Sequence, residues 1–243
     1  MQIDNPAFDY DRLGHSYAGY RQTDPHIAAF VNRALGGAQT ILNVGAGAGS
    51  YEPSDRYIVA VEPSSVMRAQ RIAKGKVPAI NAKAELLPFD DNTFDAAMAM
   101  LTVHHWPNLE KGLREVRRVT RGQIVIMTYD PAALDVFWNV RYFPELIDVE
   151  RARYPAIDRI QQALGGSGEV VPVSIPLQCV DGFQEAFYGR PEAFLHREVR
   201  KAQSAWGFLA PGLEDELVER LSEALLSGAW DREFGHYRKA PSK

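Results

Sequence analysis

Cysteine is almost absent: Cys179 stands alone among 243 residues, which excludes an internal disulfide and a multi-cysteine metal site. A lone thiol without a recognisable histidine context is more often buried packing than a nucleophile, and no metal site is expected. Long apolar runs are also missing, none approaching the ~20 residues that cross a bilayer. The first dozen residues carry acids where a signal peptide carries bases. A cytoplasmic protein with no membrane partner is expected. Nor is there an excess of charge, since 27 Lys and Arg face 31 Asp and Glu for a net charge of -4. That balance offers no global attraction to a phosphate backbone, so nucleic acid is not an expected partner. Internal repeats, low-complexity tracts and long linkers do not occur.

What is present is an ordinary apolar inventory, 46% hydrophobic residues, enough for one large domain at ~150 residues per domain, or one domain plus an insertion. The first 40 residues read as two helical stretches. The second opens at Asp24-Pro25, an N-cap followed by proline at the first helical position. Its Ile27, Phe30, Val31, Ala34 and Leu35 follow helical spacing up to Gly36-Gly37. Short apolar runs then alternate with helix-like segments: residues 40–44, 57–61, 77–80, 94–101 and 123–128 read as buried strands. Between the last two, Asn108 can cap a helix over 108–120 whose Leu109, Leu113 and Val116 share a face. Such alternation predicts βαβ crossovers, a mainly parallel sheet and helices on both faces, a Rossmann-like three-layer α/β/α sandwich.

After Asp130-Pro131 the alternation stops, and residues 131–235 hold just over half of the aromatic residues. This region reads as a helical, aromatic-rich cap or insertion. The expected organisation is therefore a core over 1–130 with an N-terminal helical cover, and cap helices plus the remaining sheet edge over 131–243, within one domain. A strand candidate at 170–178 contains Pro172 and Pro176, which remove ladder donors and confine it to an edge or to irregular structure. A final helix is predicted over 214–226.

The strongest chemical signal is Ile41-Leu42-Asn43-Val44-Gly45-Ala46-Gly47-Ala48-Gly49, a strand running straight into glycines at alternate positions. Glycine there allows positive φ and lets a ligand approach the main chain at the C-terminal end of a strand, where open α/β sheets bind their ligands. A dinucleotide fingerprint needs a third glycine at position 50, which is Ser50. The second signal is Ile58-Val59-Ala60-Val61-Glu62, a strand ending in an acid. A glutamate at a strand end is ordinarily a solvated residue, but after a glycine loop it matches the carboxylate that accepts ribose hydroxyls.

With these signals the sequence resembles the class I S-adenosylmethionine-dependent methyltransferases, most closely the type 11 branch that includes the ubiquinone/menaquinone biosynthesis-like enzymes. Beyond the glycine loop and Val61-Glu62-Pro63-Ser64, the resemblance rests on Ala84-Glu85-Leu86-Leu87-Pro88-Phe89 with Asp91-Asn92-Thr93-Phe94-Asp95, and on Leu101-Thr102-Val103-His104-His105-Trp106. It covers roughly residues 8–130. It implies S-adenosyl-L-methionine as cofactor and S-adenosyl-L-homocysteine as product. Gly45, Ala46 and Gly47 would face the methionine part, Glu62 would hold the ribose, and Pro63, Met67, Ala84 and Glu85 would border the adenine. Met100 and Leu101 would lie near the methionine amino group, with His105 close to the transferable methyl. Tyr17 and Arg21 look like the family's Y-x-x-x-R cover, in which an arginine meets the cofactor carboxylate.

Some positions depart from the family pattern. Asn43 stands where aspartate is usual, Lys83 where an acid often contacts the adenine, and residues 50–56 leave room for a single turn only, Pro53 limiting them further. Residues 229–243 show no apolar alternation, so the family's antiparallel last strand is not visible. The sheet then has six strands, or that strand lies beyond this chain, or a second copy completes the edge as in a homodimer.

His104 and His105 are the candidate general bases, since imidazole titrates near neutrality. Adjacent residues past a strand usually point in different directions, so one of the two is expected to serve structure. Methyl transfer is an in-line displacement that positioning alone can accelerate, so a base is not obligatory. Tyr129 and Asp130 at the same rim could contact substrate or simply make a turn. Phe137, Trp138, Tyr142, Phe143, Tyr154, Trp206 and Phe208 could line an acceptor pocket, although aromatic stripes at such spacing are mostly core. The expected function is methyl transfer from S-adenosyl-L-methionine to an O, N or C atom of a small organic acceptor. The alternative is a non-catalytic regulatory or partner protein that binds the cofactor or its demethylated product. A nicotinamide oxidoreductase is a weaker third option, disfavoured by Ser50.

Overall fold

The computed structural model describes residue 11, residues 20–166 and residues 168–239. Helix α1, Pro25–Ala34, starts where Asp24 accepts the His26 and Ile27 amides at 2.9 and 3.3 Å, an N-cap that satisfies two orphan donors. Four strands follow: β1 Thr40–Val44, β2 Tyr57–Val61, β3 Ala96–Met100 and β4 Ile124–Met127. They form one parallel sheet in the order β2-β1-β3-β4, with Asn43 beside both Ala60 and Met98. Ile41 and Asn43 alternate with Leu42 and Val44, and all four are buried, so both faces of the sheet are covered. This explains why the strands are continuous apolar runs. The sheet with its helices is a Rossmann-like α/β fold.

Helix α2, Ser65–Ala73, is capped by Ser64, and helix α3, Leu109–Val119, by Asn108, whose side chain accepts the Lys111 amide. Leu113 and Val116 of α3 are buried, Val116 among Leu42, Val44, Val61 and Ala97. Truncating such a leucine costs about 2–5 kcal/mol.

Several expectations change. Residues 77–80 form no strand: Ile80 alone bridges Val61, because Pro78 lacks an amide donor and Val77 is exposed. The strand predicted over 94–101 is trimmed to Ala96–Met100, since Leu101 turns to φ +51°. Residues 170–178 carry no regular structure, as Pro172 and Pro176 suggested. The C-terminal region is helical. Among the described residues the sheet has four strands, not six.

The chain divides into two compact units. One comprises described residues of 1–15, 28–130 and 153–171, and the other those of 16–27, 131–152 and 172–243. The remaining helices are α4 Asn139–Tyr142, α5 Pro144–Arg153, α6 Ile157–Ala163, α7 Arg197–Lys201, α8 Leu213–Leu226 and α9 Ala229–Phe234. In the second unit Trp138 sits 5.6–5.7 Å, ring to ring, from Phe143, Phe194 and Trp230, and its indole donates to the Tyr188 carbonyl at 2.7 Å. Trp138, Tyr142, Phe143 and Trp206 are therefore core, the commoner fate of aromatic stripes. Such ring pairs contribute about 0.5–1.5 kcal/mol each beyond burial.

Candidate functional site

The turn after β1 is shaped by the alternation of glycines. Gly45 (φ +68°), Gly47 (φ +51°) and Gly49 (φ +90°) all lie in left-handed backbone, which L side chains resist. The Gly45 and Ala46 amides both donate to the Val61 carbonyl at 3.0 Å, folding the turn back across β2. At Gly45 a Cβ would sit 2.2 Å from the Thr102 hydroxyl, and at Gly47 one would meet the Met67 methyl at 3.4 Å. The structure thus brings Met67 from α2 and Thr102 from the end of β3 to the same turn.

Glu62 closes this arrangement. One carboxylate oxygen accepts the Gly47 amide at 2.8 Å, the other the Ser64 amide at 2.9 Å. Burial pushes the acid up from its ordinary range of 4.5, and the two amides and Arg68 pull in the opposite direction. Each oxygen retains acceptor capacity beyond its one backbone donor. The Pro63 carbonyl is held by Arg68 at 2.6 Å.

Other expected residues take more structural positions. Ala84 is buried in the sheet core, and the Glu85 carboxylate accepts the Asn108 amide at 2.9 Å, bracing the start of α3. Met100 ends β3, and the Leu101 amide donates to Met127 at 2.8 Å. Arg21 is ion-paired to the buried Asp181 at 2.6 Å, a partner that no spacing in the sequence suggested. Tyr17 lies outside the described residues.

His104 and His105 do not diverge. They occupy a single 3-10 turn, Val103–His105, not extended backbone, so their rings lie 3.9 Å apart. The His104 ring also lies 4.1 Å from Tyr154, which meets Tyr129 edge-on at 4.9 Å. A cluster of imidazoles and phenols thus stands beyond β3 and β4, the end at which open α/β sheets bind ligands. Sequence reasoning placed Tyr154 only among general pocket candidates, because it lies some 50 residues from His104.

Sequence reasoning also missed a buried network beneath the turn. Glu52 accepts the Asn43 side-chain amide at 2.8 Å and both Arg71 Nη groups at 2.6 and 3.0 Å. The Asn43 carbonyl oxygen is buried without a hydrogen-bond partner among the described residues. A glycine turn in left-handed backbone, a buried carboxylate with spare acceptor capacity and an unpartnered side-chain oxygen at the end of β1 suit a ligand that carries both hydroxyl and ammonium donors.

A parallel sheet with a glycine turn after its first strand and an acid ending its second defines a Rossmann-like nucleotide-cofactor protein. Residues 42–127 match the methyltransferase domain family. The ubiquinone/menaquinone biosynthesis C-methyltransferase UbiE of Geobacter sp. (strain M21) is 30% identical over 125 residues, covering 45% of this chain and 53% of that protein. An uncharacterised protein of Methanocaldococcus jannaschii is 28% identical over 54% of each chain. The chain thus spans about half the length of these curated relatives. Among solved structures, a candidate methyltransferase from an antibiotic biosynthesis pathway of Anabaena variabilis is 29% identical, with a TM-score of 0.82 over 91% of this chain and 94% of that one. These likenesses support a class I S-adenosylmethionine-dependent methyltransferase of the type 11 branch. The same likenesses imply S-adenosyl-L-methionine as the cofactor, and the Glu62 carboxylate fixed beside the glycine turn fits it. Among the described residues no helix is long and apolar enough to cross a membrane.

Proposed function

We propose that this chain transfers a methyl group from S-adenosyl-L-methionine to an O, N or C atom of a small organic acceptor. The observation that carries this reading is the Glu62 carboxylate, buried and fixed by the Gly47 and Ser64 amides. It is anchored to the very turn whose glycines admit a ligand.

The bound cofactor supplies an electrophilic methyl on a sulfonium sulfur. Glu62 would accept the ribose hydroxyls, a charge-assisted contact that selects a diol. Gly45, Ala46 and Gly47 would let the methionine part approach the backbone, with the Asn43 carbonyl as a nearby acceptor. Met67, Pro63, Ala84 and Glu85 would border the adenine, and Met100 and Leu101 the amino group. His105 would orient the acceptor and take its proton, while His104, packed against Tyr154, holds the His105 ring in place. Holding nucleophile and methyl in line accounts for much of the acceleration. Within this reading the working compartment is the cytoplasm, where a lone thiol such as Cys179 stays reduced.

Calorimetric titration with S-adenosyl-L-methionine and S-adenosyl-L-homocysteine tests it. Saturable binding near one equivalent per chain is expected, followed by turnover in an acceptor screen. Binding by neither compound overturns the reading. Binding with no turnover on any acceptor moves the non-catalytic binding protein to the front.

A further inference from the structure

We propose that the buried Glu52–Arg71 ion pair, joined by the Asn43 amide, positions the far end of the glycine turn for the cofactor, and thereby requires a neutral hydrogen-bond donor at position 43. The proposal rests on the cofactor reading above. The near end of the turn needs no such help, because the Gly45 and Ala46 amides are tied to Val61 and the Gly47 amide to Glu62.

The far end is different. Residues 50–56 hold no helix, so no helical N-terminus continues the turn, and side chains must hold it. The ion pair lies directly against it: a Cβ at Gly49 would fall 2.8 Å from an Arg71 Nη and 3.1 Å from a Glu52 carboxylate oxygen. Two residues on, Tyr51 is buried with φ +63°, an unfavourable backbone for an L residue that persists only where its surroundings dictate it. Arg71 reaches this point from α2 and also donates through Nε to the Val77 carbonyl. One guanidinium thus joins the turn, α2 and the chain that follows it. Both partners are almost fully buried, with side-chain exposures of 1% and 3%.

Donor arithmetic then dictates residue 43. One Glu52 oxygen accepts both the Asn43 amide and an Arg71 Nη, and the other accepts the second Nη, with the Lys76 ammonium 3.8 Å away. An ionised aspartate at position 43 has no proton to give. It would set a second carboxylate at hydrogen-bond distance from Glu52 in a site with one fully buried cation to share. An ionised aspartate at position 43 and the Glu52 of this chain would therefore repel one another. The anion stands at position 52, and position 43 is the donor.

The test compares the wild type with Asn43→Asp, Glu52→Gln and the exchanged pair Asn43→Asp/Glu52→Gln. S-adenosyl-L-homocysteine affinity is measured by calorimetry at a temperature where each is folded, and the ligand-free Tm by scanning calorimetry. Asn43→Asp is expected to weaken binding at least about tenfold and to lower the Tm by about 5 °C. The exchanged pair restores one anion, one donor and Arg71, and is expected to return affinity to within about threefold of wild type. Rescue of affinity by the exchange is a result that generalised destabilisation does not produce. If Asn43→Asp does not fold, the exchanged pair decides: a folded, binding protein supports the proposal, and an unfolded or non-binding one overturns it. Wild-type behaviour of Asn43→Asp, or an exchanged pair no better than it, also overturns it. A wild type that binds no cofactor overturns the cofactor reading separately, and recovery of the Tm then decides the support of the turn.

Discussion

Gly45 and Thr102 stand so close that a single added carbon on the glycine would lie 2.2 Å from the threonine hydroxyl. The two residues come from the ends of adjacent strands, β1 and β3, and their approach sets the floor of the site.

Gly45→Ala therefore meets both a steric and a conformational penalty. The φ of +68° costs an L residue about 1–2 kcal/mol, and relief of the contact adds to it, for about 3 kcal/mol in all. Denaturant unfolding should show a loss of that order. S-adenosyl-L-homocysteine titration should show no binding in the folded variant. Unchanged binding would mean that the turn is not the cofactor cradle.

Glu62 predicts a pH dependence with a definite sign. Burial raises its folded value above the unfolded 4.5, so the native state holds the proton more tightly. The contribution of this group to stability accordingly falls as pH rises through the window from 4.5 up to that raised value. Cofactor affinity should move the other way, because the ionised carboxylate accepts on both oxygens. Titrations run downward in pH should show affinity weakening at a higher pH than an unperturbed glutamate would give. In Glu62→Gln the affinity should be weaker by about tenfold or more and lose that component of its pH dependence.

The packed histidines should separate by readout. His105→Ala is expected to lower kcat by about a hundredfold while cofactor affinity stays near wild type. His104→Ala loses the contact with Tyr154 at 4.1 Å, so its main effect should be a loss of about 1 kcal/mol in stability with a smaller fall in kcat. Steady-state kinetics with thermal melts distinguish the two. Equal kcat losses with unchanged melting would refute this division of roles.

Cys179 should be chemically silent. It is buried beside Asp24 and Asp181, and burial, the larger cause, pushes its thiol up to about 12. The thiolate is the reactive form. A chromogenic disulfide reagent at mildly alkaline pH should therefore label the native protein slowly and the guanidinium-unfolded chain at once. Rapid labelling of the native state would contradict the burial.

Much of the sheet was legible because it is locally encoded. Residues 40–44 and 57–61 emerge as strands with the bounds read from their apolar runs, and Asp24 and Asn108 cap the helices their positions implied. These features depend on neighbours within a turn or a few residues, which periodicity and capping chemistry report directly. Residues 77–80 were misjudged because an apolar run resembles a strand even where Pro78 leaves it a single bridge to Val61. The relative direction of the two histidine rings was misjudged because alternation presumes extended backbone, and the chain turns at Leu101.

The amino-acid order alone was enough to mark the glycine turn, the acid that follows it and the family they resemble, since each is a contiguous motif whose chemistry depends on spacing. Folding settled what spacing cannot express. Asn43, Glu52 and Arg71 share one buried network, Thr102 abuts Gly45, and Tyr154 packs against His104. These pairings join residues brought together by strand order and helix packing, and their energies depend on exclusion of water, a property of the packed interior.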